Sequence, residues 1–313
     1  MRAVTLWLIL LLSPSAYGYL PADWMSQIYS GHPNTKLLDI AIPGTHNSAT
    51  YKMNIFSPLG PKDTFFYVFA RPFVAGWAKT QFRSIFEQLI YGIRYFDFRV
   101  ADSEGKIVIV HGLIAMTLEK VIRQISRFTL EHPREVVLIN IAIDSPVEDS
   151  LNAQQGEDLL SRANQQFRAQ LGKSFREFAQ HVTFNDFWST GSSVMSLRGL
   201  KKYWANANTV QKLKDYWERT VPNRDIEHFN DMQLLMTESS DPIEIIKPAF
   251  RINFAPGDHN NLSNFSSPLR DVGLQWLRDW QHKGTRFNIV TTDFESLYPF
   301  TDTLIDFNSR NVH

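Results

Sequence analysis

Apolar runs and amphipathic stretches alternate along the first half of this chain. Short apolar runs that end at Gly, Pro or a turn predict strands, and apolar residues that recur three or four positions apart predict helices. The predicted strands cover 36–42, 93–100, 106–110 and 135–143, and the predicted helices cover 80–91, 117–131 and 152–171. After Glu135 the last of these strands contains a single polar residue, which is typical of a strand buried on both faces.

The second half of the chain shows a weaker pattern. Its candidate elements are strands at 193–197, 233–237 and 286–292 and a helix at 268–282. The alternation of strands and helices favours a parallel barrel or a doubly wound sheet, and in both folds active-site groups collect at the carboxyl ends of the strands. No Gly-rich dinucleotide fingerprint follows a predicted strand, which argues against a dinucleotide-binding domain.

Composition excludes several kinds of function. The 313 residues include 32 basic and 32 acidic residues and no cysteine. Nucleic acid is not expected as the main partner, because neutralising its phosphates requires surplus positive charge. Without cysteine there is no thiol nucleophile, zinc–thiolate site or disulfide, and a chain of this length can bury a large core without disulfides.

The N-terminus has the pattern of a secretory signal. A basic start precedes an apolar run over 4–12, and Ala16 and Gly18 are the small residues of a cleavage site. We therefore expect removal of residues 1–18 and one secreted domain over 19–313. An uncleaved anchor is disfavoured because the run is shorter than the ~20 residues that span a bilayer. Two glycosylation sequons, expected on an exposed loop of a glycoprotein, begin at Asn261 and Asn264.

A histidine follows each of two predicted strands. His46 follows the Pro43-Gly44 break, and His111 follows the run 107–110. Two imidazoles at one end of a sheet or barrel suit acid–base chemistry, because histidine takes or gives a proton near neutral pH. The alternative for either residue alone is a structural bond to a carbonyl group. The other histidines lie in polar or turn sequences and are expected at the surface: His32, His132, His181, His228, His259, His282 and His313.

Three charged residues interrupt the second predicted strand. Arg94, Asp97 and Arg99 lie among apolar neighbours, and the alternation of side chains puts Asp97 and Arg99 on one face. Buried charges need partners, so these two either form a salt bridge with each other or build a site. In a site, the planar guanidinium of Arg99 suits phosphate and Asp97 could orient a histidine. Asp293, at the end of the last strand, is a second candidate for that orienting role.

Residues 65–77 are strongly aromatic. They form either a buried rim or core segment, or an exposed rim that inserts into a lipid headgroup layer.

Several ordered motifs resemble the X domain of phosphatidylinositol-specific phospholipases C, especially the single-domain X-domain proteins and the bacterial secreted enzymes. These motifs are Ile42-Pro43-Gly44-Thr45-His46-Asn47-Ser48, Gly92-Ile93-Arg94-Tyr95-Phe96-Asp97-Phe98-Arg99 and Val110-His111-Gly112. The resemblance covers roughly 35–145 well and is thin over 150–280. It implies a distorted (β/α)8 TIM-type barrel, a monomer that contacts a membrane surface, and cleavage of phosphatidylinositol or its glycosylated anchor form.

The same resemblance implies roles for individual residues. His46 would be the general base on the inositol 2-hydroxyl, His111 the general acid for the diacylglycerol oxygen, and Arg99 the group that stabilises charge on the phosphate. Asp97 and Asp293 would orient the histidines. Substrate binding is assigned to Asn47 and, with less support from the thin second half, to Arg198, Tyr203 and the adjacent Lys202.

The resemblance also bears on metal use. Arg99 stands where calcium-dependent members carry an acid, so we expect a metal-independent site without a cofactor. Asn47 stands where the bacterial pattern has Asp and resembles the calcium-dependent motif, which keeps calcium as the less favoured alternative. A glycerophosphodiester or sphingomyelin hydrolase on a similar barrel would need an acidic metal cluster, against which Arg99 argues. A catalytically weak secreted module that binds lipid or glycan is the non-enzyme alternative.

Overall fold

The computed structural model describes residues 18–61, 75–237 and 261–312. The predicted signal segment except Gly18, residues 65–74 of the aromatic segment, His259 and His313 lie outside the described residues. Within the described ranges, no helix is long and apolar enough to cross a membrane.

In the described part of the chain, ten strands form one sheet. They are β1 Ile42–Thr45, β2 Tyr95–Ser103, β3 Lys106–His111, β4 Leu113–Thr117, β5 Val137–Ile143, β6 Phe175–Arg176, β7 Val194–Ser196, β8 Lys201–Tyr203, β9 Asn230–Leu234 and β10 Ile289–Thr292. Eight of them pair in parallel in the order β6-β7-β5-β2-β1-β10-β9-β8. The strands predicted at 93–100, 135–143, 193–197, 233–237 and 286–292 correspond to β2, β5, β7, β9 and β10, with bounds shifted by a few residues.

The sheet curls into a barrel. Lys202 of β8 bonds to Asp97 of β2 at 2.6 Å although three strands separate β8 from β2 in the sheet. In a flat sheet, four steps of about 4.8 Å would hold these strands roughly 19 Å apart. In the described part of the chain the two end strands, β6 and β8, do not pair, so the barrel is open there. The parallel barrel is confirmed over the doubly wound sheet.

The helices that lie wholly within the described ranges pack around the sheet. They are α1 Trp24–Tyr29, α2 Ile85–Ile90, α3 Leu118–Glu131, α4 Ser145–Glu148, α5 Ala153–Leu171, α6 Phe184–Trp188, α7 Val210–Thr220, α8 Leu262–Ser266, α9 Leu269–His282 and α10 Phe300–Asn311. The helices predicted at 117–131, 152–171 and 268–282 are present as α3, α5 and α9. At the start of α5, Asn152 and Gln155 exchange side-chain and backbone hydrogen bonds in a capping box, which fixes this end of the helix.

The strand predicted over 36–42 is wrong. Leu37–Asp39 forms a 3-10 turn and β1 begins only at Ile42. The backbone N–H and C=O of Ala41 bond to the side chain of Asn308 in α10, at 2.9 and 2.7 Å, rather than to a neighbouring strand. The apolar residues of this run are buried against helices below the barrel, which gives the same pattern as a strand.

The helix predicted over 80–91 starts later, at Ile85. Ser84 and Glu87 form a capping box that sets this start. Thr80 and Gln81 lie before the cap, and their side chains bond to the loop that follows β1.

The third predicted strand is antiparallel, not a member of the parallel barrel. β2 and β3 form a hairpin with Val100 opposite Ile109. Glu104 and Gly105, at the turn, both have positive φ, 54° and 77°, as the tightest hairpin turns require. β3 therefore carries His111 back along β2, and His111 does not follow the carboxyl end of a parallel strand.

Side chains inside the barrel form layers, because alternate strand positions point inward. The layer at the amino ends is apolar and packs with Trp24 and Met25 of α1; it contains Ile42, Tyr95, Leu138, Met195 and Ile289. Two residues further along β2, β5 and β10, the same face carries Asp97, Asn140 and Thr291. Asp231 of β9 pairs with Ile289 of β10 on one side and with Lys202 of β8 on the other. The interior thus changes from apolar to charged towards the carboxyl ends of the strands.

Arg94 belongs to the base of the barrel. Its guanidinium and the Glu135 carboxylate are fully buried and paired at 2.7 Å. Arg94 also donates to the carbonyl groups of Pro21 and Ala22, and Glu135 accepts from backbone N–H groups of α1. This pair fastens the N-terminal segment to the barrel and takes no part in the site at the other end.

Candidate active site

His46 lies just past the carboxyl end of β1. The strand packs tightly there, because a Cβ added to Gly44 would lie 2.6 Å from Cδ1 of Tyr95 and 2.9 Å from Cγ2 of Thr291. Nδ1 of His46 is 3.0 Å from Oδ1 of Asp293, which follows β10. An ionised carboxylate only accepts, so Nδ1 carries the hydrogen and Nε2 keeps its lone pair. The bond to Asp293 thus orients the His46 ring and leaves Nε2 as the nitrogen that can accept a proton.

Asn47 turns the chain away from β1. Its φ of 43° lies in the left-handed region, where Asn is several-fold enriched. The hydroxyl of Thr80 donates to the carbonyl groups of His46 and Asn47, and the Gln81 amide donates to that of His46. Oδ1 of Asn47 is buried and has no hydrogen-bond partner, which leaves an acceptor for a bound group.

His111 reaches the same end of the barrel from β3. Its Nδ1 lies 2.9 Å from the carbonyl oxygen of Ala78. A carbonyl only accepts, so Nδ1 again carries the hydrogen and Nε2 remains for chemistry. Burial lowers the pKa of His111, the neighbouring His46 lowers it further, and the bond to Ala78 acts in the opposite direction.

The two imidazoles are neighbours. Their ring centres are 6.3 Å apart and their planes meet at 75°. Each ring is fixed through Nδ1 by an acceptor on a separate segment of the chain. Two imidazoles held this way can act on one substrate without rearrangement.

Asp97 lies inside the barrel and pairs with two cationic side chains, Arg99 and Lys202. Its Oδ1 accepts from Lys202 Nζ at 2.6 Å and from Asn140 Nδ2 at 3.0 Å, and Oδ2 lies 3.6 Å from Arg99 Nε. Burial would raise the pKa of Asp97, but Lys202, Arg99 and His46 outweigh it and hold the pKa below its usual range. Asp97 therefore positions Arg99 and Lys202, while Asp293 makes the direct hydrogen bond to His46. Nε of Arg99 is buried without a hydrogen bond.

Asp231 of β9 is a second buried carboxyl, and it pairs with Lys202 of the neighbouring strand β8. It accepts hydrogen bonds from Thr291 Oγ1 at 2.9 Å and Gln233 Nε2 at 3.1 Å. Burial raises its pKa to about 6, against the lowering effect of Lys202. Sequence analysis missed Asp231 because it placed this strand at 233–237, too late to include it.

Asp144 is a further site residue that sequence analysis missed. It is the first residue after β5, is 5% exposed, and interacts electrostatically with His111 and Arg99. Burial raises its pKa, and the two neighbouring groups lower it. A polar residue directly after a buried strand was the signal that drew attention to His46 and Asp293, and it applied equally to Asp144.

The structure does not bring Arg198 and Tyr203 into this cluster. Arg198 is exposed in the loop between β7 and β8. The hydroxyl of Tyr203 accepts the backbone N–H of Asp225 at 2.7 Å, and Tyr203 points to the opposite face of β8 from its neighbour Lys202. Of the second-half candidates, only Lys202 reaches the site.

Two surface expectations need correction. His132 is half-buried: its ring stacks on Phe128 and its Nδ1 bonds to Asp23 at 2.7 Å. Asn261 caps α8, where its side chain accepts the N–H of Asn264, so the sequons begin at a helix and not within a loop. The histidines that the structure describes as exposed are His32, His181, His228 and His282.

Positive charge at the site comes from Arg99 and Lys202. Among residues 18–61, 75–237 and 261–312, no group of three or more His, Asp or Glu side chains is arranged to hold a metal ion.

The fold and the site together define an open parallel α/β barrel with two histidines, an arginine and a lysine at the carboxyl ends of its strands. The same fold occurs in two solved bacterial enzymes, the phosphatidylinositol-specific phospholipases C of Staphylococcus aureus and Listeria monocytogenes. The S. aureus structure is 16% identical with a TM-score of 0.63, and the alignment covers 95% of this chain and 99% of that one. For L. monocytogenes the identity is 17%, the TM-score 0.63 and the coverage 92% and 98%.

Sequence comparison finds similarity to one family. The model of the phosphatidylinositol-specific phospholipase C X domain matches residues 72–175, which include Arg99, His111 and Asp144 but not His46. PI-PLC X domain-containing protein 2 of Mus musculus is 26% identical over 92% of this chain and 87% of its own length. PI-PLC X domain-containing protein 3 of the same species is 25% identical over 92% and 93%. The chain is a relative of the phosphatidylinositol-specific phospholipase C X-domain proteins.

Proposed function

We propose that this protein is a phospholipase C that cleaves phosphatidylinositol, or its glycosylated anchor form, with two histidines as base and acid. The observation that carries the proposal is the pair His46 and His111, with ring centres 6.3 Å apart and each Nδ1 already bonded. Both Nε2 atoms are then left for one phosphodiester group. Family membership and the shared fold support the choice of lipid.

The proposed reaction begins with proton transfer from the inositol 2-hydroxyl to Nε2 of His46. The resulting oxygen attacks phosphorus, and the bond between phosphorus and the diacylglycerol oxygen breaks. His111 gives a proton to that leaving oxygen, so diacylglycerol and a cyclic inositol phosphate are formed. Water can open the cyclic ester when the two histidines exchange roles.

Arg99 supplies the charge that this reaction needs. Negative charge builds up on the phosphate oxygens during the reaction. A fixed guanidinium in a buried site stabilises this charge by about 3–4 kcal/mol, as one oxyanion-hole donor does. Asp97 holds Arg99 through Nε, which lies 3.6 Å from Oδ2, and the buried Oδ1 of Asn47 has no hydrogen-bond partner and is proposed to face the substrate. The site is proposed to work without calcium.

The remaining parts of the proposal concern where the protein acts. We propose a secreted monomer that contacts a membrane through apolar side chains around the site. Phe56 and Trp204 are 84% and 50% exposed. Each follows the carboxyl end of a barrel strand, β1 or β8. Mass spectrometry of the chain secreted by a eukaryotic host tests cleavage after Gly18 and glycan at Asn261 or Asn264.

The decisive experiment measures water-soluble inositol phosphate released from phosphatidylinositol vesicles, with EDTA or with calcium, by the wild type, His46→Ala and His111→Ala. We expect activity in EDTA and a loss of at least 100-fold in either variant, since general acid–base catalysis contributes about 10²–10⁴-fold. His181→Ala is the control, because His181 is exposed and lies near Lys36 and Asn288, away from the site.

Other results would lead elsewhere. Activity only with calcium would reject the metal-independent mechanism and make Asn47 a candidate ligand. Vesicle binding without hydrolysis in either condition would favour the lipid-binding module, for which the uncharged Asn47 is the supporting observation.

A further inference from the structure

The side chain of Gln81 joins the two strand ends that carry His46 and Asp293. Its Nε2 donates to the carbonyl of His46 at 3.1 Å and to the carbonyl of Thr292, the residue before Asp293, at 3.0 Å. A primary amide carries two hydrogens on this nitrogen, so both bonds can form at once. Gln81 is fully buried, so water does not compete for these bonds.

The orientation of this amide follows from its neighbours. The reversed orientation would place Oε1 of Gln81 against two carbonyl oxygens, neither of which can donate a hydrogen. Among the described residues, the buried Oε1 has no hydrogen-bond partner. The side chain therefore serves this region as a donor, and a substitution without N–H groups removes both bonds.

The segment that carries Gln81 is bonded to the loop after β10. The N–H of Phe294 donates to the carbonyl of Thr80 at 2.8 Å, and Arg83 pairs with Glu295 at 2.9 Å. These contacts lie on both sides of Gln81 along the chain. The position of its amide relative to the loop that carries Asp293 is thus fixed by the backbone as well as by the side chain itself.

The bond between the imidazole and the carboxylate depends on where the two backbones lie. β1 and β10 pair as far as Thr45 with Thr292, and His46 and Asp293 are each the next residue. Nδ1 of His46 lies 3.0 Å from Oδ1 of Asp293, and the backbone N–H of His46 donates to Thr292 at 3.2 Å. The two bonds from Gln81 continue this connection beyond the last strand pair.

We propose that Gln81 is a positioning residue that holds His46 and Asp293 in the geometry of their hydrogen bond. Its effect on the His46 ring rests on these contacts alone, whereas its effect on turnover rests on the proposed function. In turnover, Gln81 keeps Nε2 of His46 directed at the inositol 2-hydroxyl without touching the substrate.

The test compares the wild type with Gln81→Met by ¹⁵N NMR of the histidine rings at alkaline pH, where imidazole is neutral. The His46 signals are assigned from His46→Ala. In the wild type we expect the hydrogen on Nδ1, as the bond to Asp293 requires. Methionine fills a similar volume without N–H groups, so in Gln81→Met we expect a mixture of tautomers, seen as Nδ1 and Nε2 resonances that shift towards each other. Unchanged resonances in a folded Gln81→Met protein would overturn the proposal.

Asn288→Leu is the matched control. Asn288 is a buried primary amide just before β10, at the opposite end of the same two strands, and its Nδ2 donates to the carbonyls of Leu37 at 2.8 Å and Ile40 at 3.4 Å. Both variants should lose stability, but only Gln81→Met should change the His46 resonances. Gln81→Asn, which is one methylene shorter, replaces Gln81→Met if that variant does not fold, and should show a smaller shift in the same direction.

Kinetics separate this proposal from the proposed function. On a soluble inositol phosphodiester, kcat of Gln81→Met should fall about 10- to 100-fold with KM little changed, because a misplacement of about 1 Å can cost 10²-fold. A higher KM with an unchanged kcat would assign Gln81 to substrate binding and overturn the proposal. If the resonances shifted but His46→Ala retained full hydrolysis, the base role of His46 would fail while its positioning by Gln81 would stand.

Discussion

At the residue scale, Asp231 is a buried acid that the folded chain ionises only with difficulty. Its pKa is raised to about 6, chiefly by burial. The unfolded chain ionises this carboxyl near pH 4, so the folded state loses stability as pH rises from about 4 to 6, and the loss is complete above that range. The difference of about two pKa units corresponds to roughly 3 kcal/mol.

We therefore expect Asp231→Asn to be more stable relative to the wild type at pH 8 than at pH 4. The amide carries no charge to bury, although Thr291 and Gln233 must reorient around it, a cost that is the same at every pH. Urea unfolding at both pH values gives the two free energies. Asp215→Asn, at an exposed position of α7, should show no such trend. An equal effect of Asp231→Asn at pH 4 and pH 8 would reject the buried-acid interpretation.

At the scale of elements, the Arg94–Glu135 pair connects the N-terminal helix α1 to the barrel base. Neither side chain is exposed, so removing one partner leaves the other charge buried alone. We expect Arg94→Met to lower the free energy of unfolding by about 3–5 kcal/mol. Urea denaturation followed by tryptophan fluorescence measures this, because Trp24 of α1 is buried at the same end.

The control for this prediction is the pair Arg123 and Glu119 on α3. Both side chains are more than half exposed. Arg123→Met should therefore cost less than about 1 kcal/mol. Equal losses for Arg94→Met and Arg123→Met would show that the buried pair has no special role.

Elements with both a periodic pattern and a cap were predictable from sequence. The helix predicted over 152–171 is present as α5, which Asn152 caps and whose buried residues recur every four positions: Leu159, Ala163, Phe167 and Leu171. The run 36–42 was misread because side chains buried beneath a barrel are as apolar as those of a strand. The antiparallel direction of β3 was not predicted, because the strand pattern does not show direction, which here depends on the short turn at Glu104 and Gly105.

At the scale of the whole molecule, the site forms only when the sheet curls. The alternation of side chains predicted that Asp97 and Arg99 share a face. No sequence spacing predicts that Lys202, more than 100 residues later, forms an ion pair with Asp97. That contact depends on the order of strands around the barrel.

Two exposed aromatic side chains, Phe56 and Trp204, lie in loops that follow the carboxyl ends of barrel strands. Phe56 lies in the loop after β1. The N–H of Gly60 in this loop donates to the carbonyl of Gly112, the residue after His111. Trp204 follows β8 and is half exposed, with its indole N–H bonded to Thr237. Exposed aromatic side chains around the proposed lipid-cleaving site suit insertion among headgroups.

We expect the double variant Phe56→Ser, Trp204→Ser to bind phosphatidylinositol vesicles more weakly and to hydrolyse them more slowly, while cleavage of a soluble inositol phosphodiester stays unchanged. Vesicle sedimentation and product release measure the two effects. Leu130→Ser is the matched control, because Leu130 is 77% exposed near the end of α3, which leads to the amino end of β5. Equal loss on soluble and vesicular substrate would place Phe56 and Trp204 in the catalytic site and not at a membrane contact.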